Sequence, residues 1–256
     1  EQLTFGPEYL IPKPFDPRLI SELAPAVAGA AMSSGVATRP IQDMAAYRAE
    51  LSRFVFQSVL LMRPLYEKAG LDLKRIAYAD GESSTVLRAV QTVVDDALAL
   101  PVLVGRLETI RARIKELGLR MRPDEDFEVI DPGADEQIDT FASIYTSITQ
   151  DRGVTQQDAR EIVQSSTTAI TSIMVRKGMV DGMLCGLTGT YHDHFAQVRE
   201  LLGVREDASD MAAMNMLVLR KGTYFICDAY SQNQLSAERV ANMTKLAAEQ
   251  VKRFGI

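Results

Sequence analysis

The chain has 256 residues, long enough for one large domain or two small ones. Its 28 basic and 34 acidic side chains leave a formal charge of -6, which argues against a general nucleic-acid binder, because that needs a basic face, but is compatible with a small anionic ligand in a local positive pocket. Cys185 and Cys227 imply no disulfide framework and make a reducing cytoplasm the default, and no apolar run reaches membrane-spanning length.

The first twenty residues hold Pro7, Pro12, Pro14 and Pro17, a density that forbids a long helix or a central strand. Phe5, Tyr9, Leu10, Ile11 and Phe15 predict that this irregular segment packs on a surface. Asp16 and Pro17 form a helix start, and the following stretch reads as one short helix, or two with a bend at Pro25, ending near Gly35. Beyond Pro40, the spacing of Tyr47, Leu51, Phe54, Val55, Leu61 and Met62 predicts a long linker helix that stops near Lys68 and Gly70.

The stretch from Arg75 to Leu117 sets the fold class. RIAYA suits a short strand, and ADGESS is a turn in which Gly81 is free to take a positive φ. Ser83 or Ser84 caps the next helix, where Val86, Leu87, Val90, Val93, Val94 and Leu98 recur at helical spacing. PVLVG is continuously apolar, as a parallel strand covered on both faces would be. Arg106 to Leu117 is a second amphipathic helix closed by Gly118. The pattern is a doubly wound, mostly parallel α/β sheet with a helical N-terminal linker.

FEVID then predicts a third strand, and Asp135 to Gln150 a helix. Thr155 caps a single long helix ending at Gly178, and MVDGMLCG is a strand that delivers the chain to a second glycine turn, Gly186 to Tyr191, entering another helix. Two strands follow, Ala213 to Leu219 and Thr223 to Cys227, joined hairpin-fashion, with Met211, Met214 and Met216 read as core filling. The last element is a helix from Ser236 to Phe254. Glu1 at the start and Ile256 at the end read as a piece of a longer polypeptide, cut inside a larger domain.

Two glycine turns at strand-to-helix junctions, Ala79 to Ser84 and Gly186 to Tyr191, are candidate anion sites, since a helix N-terminus offers free amides and the positive dipole end. Ser83, Ser84, Thr85, Thr188 and Thr190 add hydroxyl donors, but neither turn matches the dinucleotide or P-loop pattern, and many such turns bind nothing. Arg106 and Asp228 stand at strand ends, where open α/β sheets bind ligands, with solvated helix-start and capping roles as the alternatives. His192 and His194, two residues apart on a helix, do not share a face and make no metal pair.

The segments FGPEYLIPKPFDPRLI and APAVAGAAMSSGVATRPI, then KRIAYADGESSTVLRAVQ, GMLCGLTGTYHDHF, KGTYFICDAY and AERVANMTKLAAEQVKRFGI, together resemble the bacterial hybrid NADP-dependent malic enzymes. That family joins a malic enzyme module to a C-terminal phosphate acetyltransferase-like module. The resemblance implies that residues 1–39 are the tail of the first module and 40–256 an incomplete second one, with lobes at about 40–133 and 134–256. It implies NADP and a divalent metal, Mg or Mn, in the parent's malic enzyme module, no catalytic residues or metal here, and acetyl-coenzyme A as effector. The family's phosphate-binding arginine falls at Ala196, with Arg199 one turn away, and its asparagine and prolines after the strand aspartate fall at Gln232, Asn233 and Leu235.

A cytoplasmic regulatory module that senses acyl-coenzyme A follows as the expectation, in a homo-oligomer without nucleic-acid or membrane partners. The alternatives are an active phosphate acetyltransferase and a non-catalytic oligomerisation scaffold. The ligand contacts expected are Gly81, Ser83, Ser84, Arg106, Thr188, Thr190 and Asp228.

Overall fold

The computed structural model describes residues 17–206, 208, 211–219, 221–227 and 236–254. The proline-rich start, Asp228, Gln232, Asn233 and Leu235 lie outside the described residues. The chain divides into two compact units, one of Glu1–Leu65, Asn215–Ile226 and Phe254–Ile256, the other of Tyr66–Met214 and Cys227–Arg253.

The first unit carries helix α1 (Pro17–Ser33), a single helix that runs through Pro25. Helix α2 (Met44–Leu71) is the predicted long helix and contains Pro64. Strands β5 (Met214–Leu219) and β6 (Gly222–Cys227) pair as a two-stranded sheet, and the two-residue connection makes it antiparallel.

The second unit is built on a four-stranded sheet of order β3-β2-β1-β4, with β1 Arg75–Tyr78, β2 Leu100–Val104, β3 Glu128–Ile130 and β4 Gly182–Leu184. Every pairing is parallel, with Ala77 opposite Val102 and Met183, and Leu103 opposite Val129. Parallel neighbours need helical crossovers, and the predicted helices supply them: α3 (Ser84–Asp95), α4 (Leu107–Glu116), α5 (Asp135–Thr149), α6 (Gln156–Ser165) and α7 (Thr167–Arg176). Helices α8 (Tyr191–Leu202) and α9 (Ala237–Arg253) follow β4 and β6.

Alternation along the strands divides the core in two. Tyr78 and Leu103 point to one face, where Leu87 and Val90 of α3 and Ile110 and Ile114 of α4 cover them. Ala77, Val102 and Val104 point to the other, against Ile138 and Phe141 of α5, Val163 of α6, and Ile170 and Ile173 of α7. Each fully buried Leu or Ile contributes about 1.5–3 kcal/mol of burial free energy. This two-sided covering is why PVLVG has no polar face.

The stretch after Thr155 is not one helix but two, because Ser166 takes an extended conformation (φ -126, ψ 101) between α6 and α7. Its hydroxyl accepts from the Ala169 amide at 3.2 Å and donates to Gln197 Oε1 at 2.6 Å. The break re-aims the chain so that α7 is buried from Thr168 to Met174 with no solvent-facing side, as a central helix must be. The buried hydroxyls stay bonded: Thr171 donates to the Thr167 and Thr168 carbonyls at 3.0 and 3.1 Å.

Candidate functional site

The strand order places a reversal of direction beside β1. From β1 the chain moves outward through β2 to β3, then crosses back to lay β4 on the other side of β1. In open α/β sheets the loops at the carboxyl ends of strands diverge at such a point and leave a crevice.

Three carboxylates tie these loops together. Asp80, just past β1, accepts from the Leu187 amide at 3.3 Å and the Thr188 hydroxyl at 3.0 Å, which fastens the loop after β4. Glu82, in the same turn, holds Arg106 after β2: Arg106 Nε and Nη2 each donate to it at 2.9 Å, and so does the Arg106 backbone amide. Asp131, just past β3, accepts from the Leu107 amide at 2.9 Å and the Gly133 amide at 2.7 Å. The side-chain hydrogen bonds to Arg106 hold the Glu82 carboxyl below the usual glutamate range, with burial opposing.

Gly81 sits in this turn for a different reason from the one the sequence suggests. Its φ is not positive; the constraint is close approach, since a Cβ there would lie 2.7 Å from the Val104 carbonyl oxygen and 3.0 Å from the Val104 nitrogen. The Gly81 amide donates to that same oxygen at 3.2 Å, so the turn is drawn down onto β2. Ser83 then caps α3, its hydroxyl accepting from the Thr85 amide at 3.3 Å. Among the described residues the first-turn amides of Ser84 and Val86 have no protein acceptor.

The second glycine turn is clamped by His194. Its Nε2 lies 2.6 Å from the Thr188 carbonyl oxygen and its Nδ1 2.9 Å from the Thr168 hydroxyl. A carbonyl only accepts, so Nε2 carries a hydrogen; in the neutral ring Nδ1 then accepts from Thr168. Gly189, with φ +88, allows the turn to fold this tightly, because a Cβ there would stand 2.9 Å from Nε2. Cys185 lies at the base of the same turn. Burial pushes its thiol above the usual cysteine range, and the Asp80 charge adds to that, while a hydrogen bond with Thr168 opposes it. It is a protonated, weakly nucleophilic thiol at neutral pH.

These loops enclose an open cleft of about 720 Å³, lined among the described residues by Ala79 to Ser84, Val104 to Arg106, Arg113, Pro132, Gly133, Gln164, Thr167 and Thr188. Gly81, Ser83, Ser84, Arg106 and Thr188, five of the seven residues singled out from sequence, are thus brought together. Thr190 is not in this lining. Its hydroxyl caps α8, accepting from the Asp193 amide at 3.2 Å and donating to Asp193 Oδ2 at 2.6 Å. Asp228 falls outside the described residues, and neither Ala196 nor Arg199 lines the cleft.

Sequence reasoning missed the acids. Asp80 and Asp131 follow strands as Asp228 does, so the strand-end signal was present, whereas Glu82 carries none. The charged lining of Asp80, Glu82, Arg106 and Arg113 balances to zero. Such a cleft suits a large ligand held by amides, hydroxyls and apolar contact more than a bare multivalent anion. No group of three or more His, Cys, Asp or Glu able to hold a metal occurs among the described residues. Met211 and Met214, expected as core, instead line a second hollow of about 440 Å³ with Phe195, Met243 and Leu246. None of the helices in the described residues is long and apolar enough to cross a membrane.

Comparison with known proteins agrees with this architecture. A phosphotransacetylase from Streptococcus pyogenes superposes with a TM-score of 0.70 over 77% of this chain and 59% of its own, at 20% identity, a likeness of fold. The NADP-dependent malic enzyme of Escherichia coli is 45% identical over 256 residues, all of this chain and 34% of its own length. An NAD-dependent malic enzyme of Rhizobium meliloti is 43% identical over 257 residues, again all of this chain and 33% of its own. The chain therefore spans about a third of the length of these curated relatives. The family model for phosphate acetyl/butaryl transferases matches residues 60–256, the span that builds the parallel sheet and its cleft, and the chain belongs to that family.

Proposed function

We propose that this chain is a regulatory module that binds an acyl-coenzyme A, acetyl-coenzyme A in the first place, within a malic enzyme. The observation that carries the reading is the coincidence of two likenesses on one chain. Its fold and family are those of acetyl-transferring proteins, yet its whole length is 42–45% identical to malic enzymes. The parent reaction would be oxidative decarboxylation of malate to pyruvate and CO2, with a nicotinamide and a divalent metal bound by other parts of such a protein. Relatives of both nicotinamide preferences match this chain equally well, so it does not choose between NADP and NAD.

In this reading Gly81, Ser83, Ser84 and Thr188 contact the ligand directly, Arg106 does so only when Glu82 releases it, and Thr190 acts through the α8 cap. Asp228 remains a proposed contact. The absence of an arginine at Ala196 favours binding over transfer, since acyl transfer to phosphate needs a clamp for a dianion. Regulation requires the effector to bind two states of the assembly unequally. A cytoplasmic homo-oligomer is the setting that fits this role.

The test is calorimetric titration of acetyl-coenzyme A into the intact protein, with malate-dependent reduction of the nicotinamide followed on the same sample. Saturable binding that alters the rate is the expected result. No binding and an unmoved rate would refute it in favour of a scaffold, and phosphate-dependent formation of acetyl phosphate would make the module a transferase.

A further inference from the structure

Glu82 occupies the place that an anionic ligand of the cleft would use. Its carboxylate takes Arg106 Nε and Nη2 and the Arg106 amide, all at 2.9 Å. A guanidinium fork and a helix-start amide are together the donor set with which proteins grip phosphate. Here the chain supplies its own anion to both. Gly105 permits this, because a Cβ at that position would stand 2.8 Å from Glu82 Cγ. The other charges of the lining do not restore an attraction: Asp80 is committed to Leu187 and Thr188, and Arg113 has Glu116 3.7 Å away.

We propose that Glu82 is a specificity-determining residue of this cleft: by occupying Arg106 it turns away inorganic phosphate and similar small dianions, leaving the cleft to ligands that bind through a larger surface. This inference rests on the reading of the cleft as the acyl-coenzyme A site, and it deepens that reading. A cleft that holds an acyl thioester while turning away free phosphate lacks the acceptor for transfer, so binding ends in occupancy and not in turnover.

The test is a phosphorus-31 line-broadening titration of inorganic phosphate on the intact protein, comparing wild type, Glu82→Gln and the double variant Glu82→Gln/Arg106→Gln. Removing one counter-charge about 4 Å from the anion in a water-exposed cleft is worth roughly fivefold in affinity, so Glu82→Gln is expected to bind phosphate at least about fivefold more tightly. The double variant should lose that gain. Gly105→Ala pushes the same carboxylate aside while leaving its charge in place, and should give a gain of the same sign, which keeps the test open if Glu82→Gln does not fold. Unchanged phosphate affinity in both single variants, or a gain that survives without Arg106, overturns the proposal. Acetyl-coenzyme A is titrated into wild type in the same buffer: if it fails to bind, the underlying reading falls, whereas acetyl-coenzyme A binding with unchanged phosphate affinity overturns this inference alone.

Discussion

Replacing Gly81 by alanine should be costly although the substitution adds a single methyl group. The new Cβ would meet three atoms that have no freedom to swing away: the Val104 carbonyl oxygen at 2.7 Å, the Val104 nitrogen at 3.0 Å and Leu103 Cβ at 3.1 Å. Ordinary carbon contacts begin near 3.5 Å, so the turn must lift from β2 by roughly 0.8 Å. That movement stretches the Gly81 amide to Val104 oxygen bond, now 3.2 Å, past any useful hydrogen-bond length. The lost bond is worth about 1 kcal/mol and the overpacking about 1–3 kcal/mol, for a total of roughly 2–4 kcal/mol. For a chain of this size the melting temperature should fall by about 4–16 °C. Urea unfolding followed by circular dichroism measures the cost, with Gly29→Ala as the control, since nothing lies within 4 Å of a Cβ there. In the middle of α1 that control is expected to be neutral or to stabilise by about 0.5–1 kcal/mol. A Gly81→Ala protein whose stability lies within about 0.5 kcal/mol of wild type would refute the close-approach argument and return Gly81 to an ordinary turn residue.

Ser166→Ala removes the α7 cap and the hydrogen bond to Gln197, at about 1 kcal/mol each, so thermal unfolding should shift down by about 4–8 °C while Ser166→Thr retains most of the stability; an unchanged melting temperature in the alanine variant would show that the helix break is held by packing alone. The Cys185 thiol, raised first by burial and then by the Asp80 charge, should react slowly with iodoacetamide at neutral pH. Alkylation rates measured against pH in a Cys227→Ser background should rise only above the ordinary cysteine range, and Asp80→Asn should move that rise to lower pH; a half-maximal rate near pH 7 would contradict the assignment.

Much of the order of elements was legible because it is written in near neighbours. The spacing of Val86, Leu87, Val90 and Val94 specifies the covered face of α3 within a dozen residues, Ser83 caps it two residues from the amide it bonds, and the unbroken apolar run PVLVG states that β2 is covered twice. Gly118 ends α4 as expected, with φ +64, for the same local reason. The cleft contacts were expected from their place at the carboxyl ends of strands, and the family resemblance added the acyl-coenzyme A expected there.

What tertiary structure alone decided are the contacts whose partners lie far apart in the chain. Asp80 reaches Thr188 across 108 residues, and Glu82 meets Arg106 across 24, so neither pairing leaves a pattern in its own segment. The same holds for the break at Ser166, which contains no glycine or proline and is held open partly by Gln197, 31 residues away. Gly81 shows the difference most clearly. Its sequence context announced a turn, and a turn is there, but the reason for glycine is the backbone of a neighbouring strand. Local sequence sets which conformations a segment prefers; which side chains meet, and therefore whether Arg106 faces a ligand or Glu82, is set only when the sheet brings the strand ends together.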